Sequence, residues 1–160
     1  MSHIAPVAGT AIITKGDKLA VKNYLTVRNG HIVLSLTAHG SGWNIRPTGP
    51  DGDQFTMVFA DGEGDEELAM TLSDTPDDSG VLNALAKPLM SPPPPEQLWT
   101  LEEAIMEPRK PPTIHGRIQS VARKDLSVGI GGEVDLPPRD LPVSGMPNGI
   151  QQDLKWILEY

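Results

Sequence analysis

The sequence predicts an all-β fold, a single domain over residues 1–160 built from three copies of a four-strand unit. Three observations carry this. All three tryptophans stand in one local pattern, Trp43-Asn44-Ile45-Arg46, Trp99-Thr100-Leu101-Glu102 and Trp156-Ile157-Leu158-Glu159, at almost equal spacing. A second pattern precedes each of them: Leu19-Ala20-Val21, Leu68-Ala69-Met70 and Leu126-Ser127-Val128. Internal repeats of this length mark a supersecondary unit that cannot bury its apolar face alone. Finally, 16 Gly and 16 Pro are too many for long helices and suit short strands joined by turns.

The segments in between alternate. Phe55, Met57 and Phe59 interleave with Thr56 and Val58; Leu68, Met70 and Leu72 with Ala69 and Thr71. Ile32, Leu34 and Leu36 follow the same rule, as do Leu126, Val128 and Ile130. Period two with β-branched and aromatic residues argues for half-buried strands. Asn29-Gly30 between two such runs supplies the positive φ angles of a tight hairpin. The first unit covers about 7–50, with strands near 9–15, 18–28, 31–38 and 42–47. The second covers 51–107, with strands near 54–60, 67–73, 82–89 and 97–103. The third covers 108–160, with strands near 113–121, 125–134, 140–144 and 154–159. Leu101 to Met106 has local helical propensity, which the match to the other two tryptophan segments overrides. Trp43, Trp99 and Trp156, with Leu19, Leu68 and Leu126, are the expected centre of the core.

A chain of 160 residues buries a core without staples, and its lack of cysteine excludes disulfides and thiolate chemistry. A reducing compartment is the simpler expectation. Met1 to Pro6 has neither a basic segment nor a long apolar run, so no signal peptide is expected. The expected location is cytoplasmic, or outside the cell by a non-classical route. The net charge of −8 disfavours nucleic acid and anionic membranes as partners.

No catalytic constellation stands out, and no enzyme, cofactor or metal site is expected. His3, His31, His39 and His115 lack metal-ligand spacing, and none sits beside an evident nucleophilic serine. Asp61-Gly62-Glu63-Gly64-Asp65-Glu66-Glu67 lacks the rest of a calcium loop and reads as a solvated hairpin loop, as does Asp74 to Gly80. Gly129-Ile130-Gly131-Gly132 has no following Lys-Ser/Thr and reads as a strand end or bulge. Ser91-Pro92-Pro93-Pro94-Pro95 is a polyproline segment, either a ligand for a proline-binding domain or a stiff loop.

Twelve short strands in three similar units resemble the β-trefoil. Gln97-Leu98-Trp99 matches the Gln-x-Trp motif of ricin-B-type lectins, which share that fold; Ser41 and Leu154 stand at the corresponding places in the other units. That resemblance implies a glycan partner, with Asp17, Tyr24 and Gln97 as candidate sugar contacts. With seven aromatic residues in all (Trp 3, Tyr 2, Phe 2), stacking platforms are few.

A cysteine-free, proline-rich trefoil of this length is also similar to the fungal protease inhibitors, the mycospins and the mycocypins, through the repeat layout and Lys155 to Tyr160. This resemblance implies a serine or cysteine protease as partner, and it is the leading expectation. In mycospins one loop carries the residue that enters the protease pocket. Between the second and third strands that loop holds Arg28, Asn29 and Gly30: Arg28 suits a trypsin-like pocket, Asn29 an asparagine-specific protease, and the turn alone explains Asn29-Gly30 equally. Between the eleventh and twelfth strands it holds Asn148 and Gly149. The mycocypin-type loops fall near Gly16-Asp17 and His39-Gly40-Ser41-Gly42.

Overall fold

The computed structural model describes residues 5–15, 23–36, 41–62, 65–108, 111–134, 136–137, 140–150 and 153–160. Over the described residues the fold is all-β, with twelve strands in one antiparallel sheet. They are β1 (Gly9–Lys15), β2 (Tyr24–Arg28), β3 (His31–Ser35), β4 (Gly42–Thr48), β5 (Gln54–Phe59), β6 (Leu68–Leu72), β7 (Leu82–Pro88), β8 (Trp99–Glu107), β9 (Thr113–Ser120), β10 (Leu126–Ile130), β11 (Asp140–Pro147) and β12 (Lys155–Glu159). A single 3-10 turn, Pro95–Gln97, interrupts them among the described residues.

Six strands close on themselves in the order β1, β4, β5, β8, β9, β12 and back to β1. Closure leaves this ring no free edge, the main hazard of an all-β chain. The other six form three hairpins, β2–β3, β6–β7 and β10–β11. These hairpins also pair with one another, through His31 with Leu85, Ser144 with Asn83, and Leu141 with Leu34. Each hairpin leaves the ring by a short shared register: Thr14 with Tyr24, Val58 with Ala69, Ser127 with Gln119.

Alternation in the sequence becomes alternation in space. Along β9, Ile114, Gly116, Ile118 and Ser120 are buried, and the residues between them are half-buried. The segment with helical propensity is a strand with an irregularity: register with β9 shifts between Glu102 and Ile105, and Glu103 takes a φ of 50°. Gly116 opposite makes this possible, because a Cβ there would lie 2.8 Å from the Cβ of Ala104. Nine residues of strand hydrogen bonding outweigh the local helix preference.

The three indoles lie in one core cluster with Phe55, Met57, Ile13 and Leu101. Each indole N–H donates to a backbone carbonyl of its own unit's hairpin: Trp43 to Leu25 at 3.0 Å, Trp99 to Met70 at 3.2 Å and Trp156 to Val128 at 2.9 Å. The buried polar atom is thereby satisfied and the hairpin tied to the ring. This bond corrects the phase of the repeat in the first unit. Met70 and Val128 end the patterns Leu68–Met70 and Leu126–Val128, so their counterpart is Leu25, not Val21. Leu19 to Val21 lie outside the described residues. Leu126 is buried as expected, but Leu68 is only half-buried.

Candidate functional site

The β2–β3 turn has Asn29 at φ 51° and Gly30 at φ 79°, both positive as a two-residue hairpin of this twist requires. Its tip does not project freely: the Gly30 carbonyl accepts the Ala86 N–H at 2.8 Å. Arg28 donates through Nε to Asp140 at 3.1 Å and through a terminal nitrogen to the Ser35 hydroxyl at 3.3 Å. The Asp140 side chain is only 3% exposed, against 37% for Arg28. Arg28 is therefore a strut between the first and third hairpins. To enter a protease pocket it would have to leave a buried carboxylate without its cation, which costs several kcal/mol in a fully buried pair and less at this half-exposed one. Asn29 and Gly30 remain exposed.

Asn148 is engaged on every side. Its Oδ1 accepts from the Ser127 hydroxyl at 2.6 Å, and its Nδ2 donates to the Lys124 carbonyl at 2.9 Å and to Gln119 at 3.3 Å. Its backbone N–H reaches the Asp125 carbonyl at 3.0 Å. Asn148 thus closes the β11–β12 connection onto the β9–β10 turn, and Gly149 beside it faces open space.

Of the lectin-type candidates, Asp17 lies outside the described residues. Tyr24 is a half-buried strand residue of β2. Gln97 is 1% exposed. Its Nε2 donates to the Thr71 hydroxyl at 3.1 Å and the Pro88 carbonyl at 2.9 Å, while its Oε1 accepts the Met90 N–H at 3.0 Å. A side chain so buried and saturated does not reach a sugar; it holds up a loop. Of the expected mycocypin-type loops, Gly16-Asp17 and His39-Gly40 lie outside the described residues, while Ser41 is buried with its hydroxyl 3.0 Å from that of Thr26 and Gly42 opens β4.

The loop that Gln97 supports joins β7 to β8. Leu89 N–H bonds the Glu67 carbonyl at 2.8 Å, Gln97 N–H bonds Pro94 at 2.9 Å, and Leu98 N–H bonds Pro95 at 3.1 Å. Pro94 is extended at φ −70° and ψ 164°. At the start of this braced segment Met90 stands 57% exposed, among the largest apolar exposures of the described residues. The polyproline run signals stiffness in the sequence; nothing in the sequence marks Met90.

Two acidic loops prove to be structural. The Asp61 carboxylate accepts the Gly42 N–H at 2.6 Å, and Glu67 pairs with Arg46 through both oxygens. The Arg46 guanidinium lowers the Glu67 carboxyl and is itself raised. In the other loop, Asp77 Oδ1 accepts from the Ser79 hydroxyl at 2.5 Å and the N–H groups of Ser79 and Val81. Its Oδ2 accepts from Asn83 and from the Glu133 N–H at 2.8 Å. These bonds, the Ser79 hydroxyl first, hold the Asp77 carboxyl well below the usual carboxylate range. No cluster of three metal-ligating side chains occurs among the described residues.

A cleft of about 290 Å³ opens at the junction of the second and third units, where Asp53, Gln54, Thr100, Glu102, Gln119 and Lys124 converge. Carboxylates, carboxamides, a hydroxyl and an ammonium in one depression offer both donors and acceptors to a polar ligand.

No protein-family model matches the chain, and no curated protein matches its sequence. Among solved structures it is similar to a mosquitocidal holotoxin at 10% identity and a TM-score of 0.64, with 97% of this chain covering 17% of that one. It is also similar to the lysenin pore at 13% identity and a TM-score of 0.60, with 98% of this chain covering 46% of that one. The chain thus spans less than half the length of either. At such identities the likeness is one of fold alone.

Proposed function

We propose that this chain is a β-trefoil recognition module that inhibits a protease by placing a braced surface loop in its cleft. Support for the trefoil comes from the closed six-strand ring, the three mutually paired hairpins and the indole bond made once in each unit. The observation that carries the inhibitor reading is Gln97: a buried carboxamide whose three bonds fix the β7–β8 loop from beneath. A loop ordered before docking loses less entropy on docking, and an inhibitor needs that advantage to outcompete substrates. The matched toxins carry this fold as a part of longer chains, an arrangement that suits a recognition part. The test is a panel of trypsin, chymotrypsin, subtilisin, papain and a legumain-type protease with micromolar protein. Inhibition of at least one is expected; full activity in all five overturns the reading.

Glycan binding is the second reading, and the cleft between the second and third units, where Asp53, Thr100, Glu102 and Lys124 converge, favours it. A glycan array on the same sample tests it. Binding that Glu102→Gln abolishes, with no protease inhibited, would put this reading first.

A further inference from the structure

The inhibitor reading names the braced β7–β8 loop but neither the residue that enters the protease nor the kind of protease it fits. Arg28 and Asn148, one from each of the two expected loops, are both spent on contacts within the fold. The β7–β8 loop is built in the opposite way: its backbone is braced and an apolar side chain is left out. We infer, on the strength of that reading, that Met90 is the anchor residue and that the partner is an endopeptidase with a deep apolar primary pocket, not one that selects a basic side chain.

Burying Gln97 costs conformational entropy and desolvation, recovered only through its bonds to Thr71, Pro88 and Met90. The bond to Met90 fixes the loop's own backbone, and those to Pro88 and Thr71 tie Gln97 to the strands β7 and β6 beneath it. Pro92 to Pro95 remove further freedom on the far side. The result is a rigid stem on which the unbranched Met90 side chain stands 57% exposed. A lone exposed apolar side chain is ordinary on a mobile loop; on a braced one it keeps a defined place, as an anchor must. Thioether side chains adapt to apolar pockets of different shapes. A chymotrypsin-type slot accepts such a group, whereas a trypsin-type pocket holds a buried acid that would be left unpaired.

One consequence separates this mode from substrate mimicry. The Met90 N–H is already bound to Gln97, so the loop offers its side chain and not a free backbone edge. The loop should therefore survive long incubation with the protease uncut.

The experiment measures inhibition of chymotrypsin, subtilisin and trypsin by the full chain and by Met90→Asp, Met90→Arg and Arg28→Ala, with melting temperatures taken alongside. The intact chain should inhibit chymotrypsin or subtilisin and leave trypsin active. Met90→Asp should weaken that inhibition by about 10- to 100-fold at unchanged melting temperature, the range set by losing one well-buried anchor. Met90→Arg should move inhibition toward trypsin, and Arg28→Ala should leave it within about threefold. Inhibition that Met90→Asp leaves unchanged, or inhibition of trypsin alone, overturns the assignment of Met90 while leaving the inhibitor reading intact. No inhibition of these three overturns the assignment of Met90, and no inhibition of papain and the legumain-type protease either overturns the inhibitor reading as well. Cleavage after Met90 in mass spectra would show a substrate, and overturns the inference.

Discussion

The three tryptophans do one thing three times, while the residues two places before them do three different things. Each indole is buried and donates to a carbonyl of its own hairpin. Before them stand Ser41, Gln97 and Leu154. The Ser41 hydroxyl lies 3.0 Å from that of Thr26, and Gln97 reaches the corresponding Thr71. Leu154 is simply buried. The repeat is held fixed where the hairpins meet the ring and released one step away, where a connection begins. Among the described residues, only the second unit uses that freedom to brace an exposed loop. Function in such a scaffold is better sought where the units differ than where they agree.

If the indoles are equivalent, removing any one should cost about the same. Trp43→Ala, Trp99→Ala and Trp156→Ala should each lose about 3–5 kcal/mol in chemical denaturation, through cavity formation and an orphaned carbonyl. A loss near zero in one unit would break the equivalence. Gln97→Ala is the sharper probe of the difference. It removes the partner of the Met90 N–H and a donor from the Pro88 carbonyl, while Thr71 keeps its bond to the Ala69 carbonyl, and should cost about 1–3 kcal/mol, with faster hydrogen exchange at the Met90 N–H. Ser41→Ala removes one hydroxyl pair and should cost about 1 kcal/mol or less. Equal costs, or unchanged exchange at Met90, would show that Gln97 is no more of a brace than Ser41.

Much of the frame was legible in the sequence because period two and the tryptophan spacing report burial directly. β1 was placed at its observed bounds, and β5, β6, β7 and β9 within a residue or so. The first unit's phase was not legible. Leu19-Ala20-Val21 copies the composition of Leu68-Ala69-Met70, but the bond that defines the unit ends on Leu25. Composition cannot reveal which carbonyl an indole meets. The candidate site was legible only as an address. Asn29-Gly30 forms the turn its chemistry demands, yet Arg28 is committed to Asp140, 112 residues away in sequence. Gln97 stands in a lectin-like motif, and its partners are the backbone at Pro88 and Met90 and the Thr71 hydroxyl. Long-range polar partners leave no local pattern.

The Asp74–Gly80 loop offers a smaller contrast with the tryptophan ties, because it joins two units instead of closing one. Asp77 bonds Asn83, which bonds Ser144 at 2.9 Å, which bonds the Gly131 carbonyl at 2.7 Å. Gly132, at φ 105°, is hemmed in: a Cβ there would lie 2.6 Å from the Asn83 amide nitrogen. Gly132→Ala should therefore destabilise by about 1–3 kcal/mol, through strain at positive φ and the displaced amide. The pH dependence follows from Asp77. Its carboxyl is held below its ordinary value in the folded chain, so the unfolded chain binds the proton more tightly. The stabilisation is present above the unfolded value, near 3.8, and is lost as the pH falls below it toward the depressed folded value. Asp77→Asn keeps the shape and removes the titration. Its melting temperature should lie below that of the intact chain at pH 6, and the gap should narrow as the pH falls from 4 to 2. Parallel curves would place the acid sensitivity elsewhere and leave Asp77 as one more solvated loop carboxylate, unlike the ties that hold the indoles.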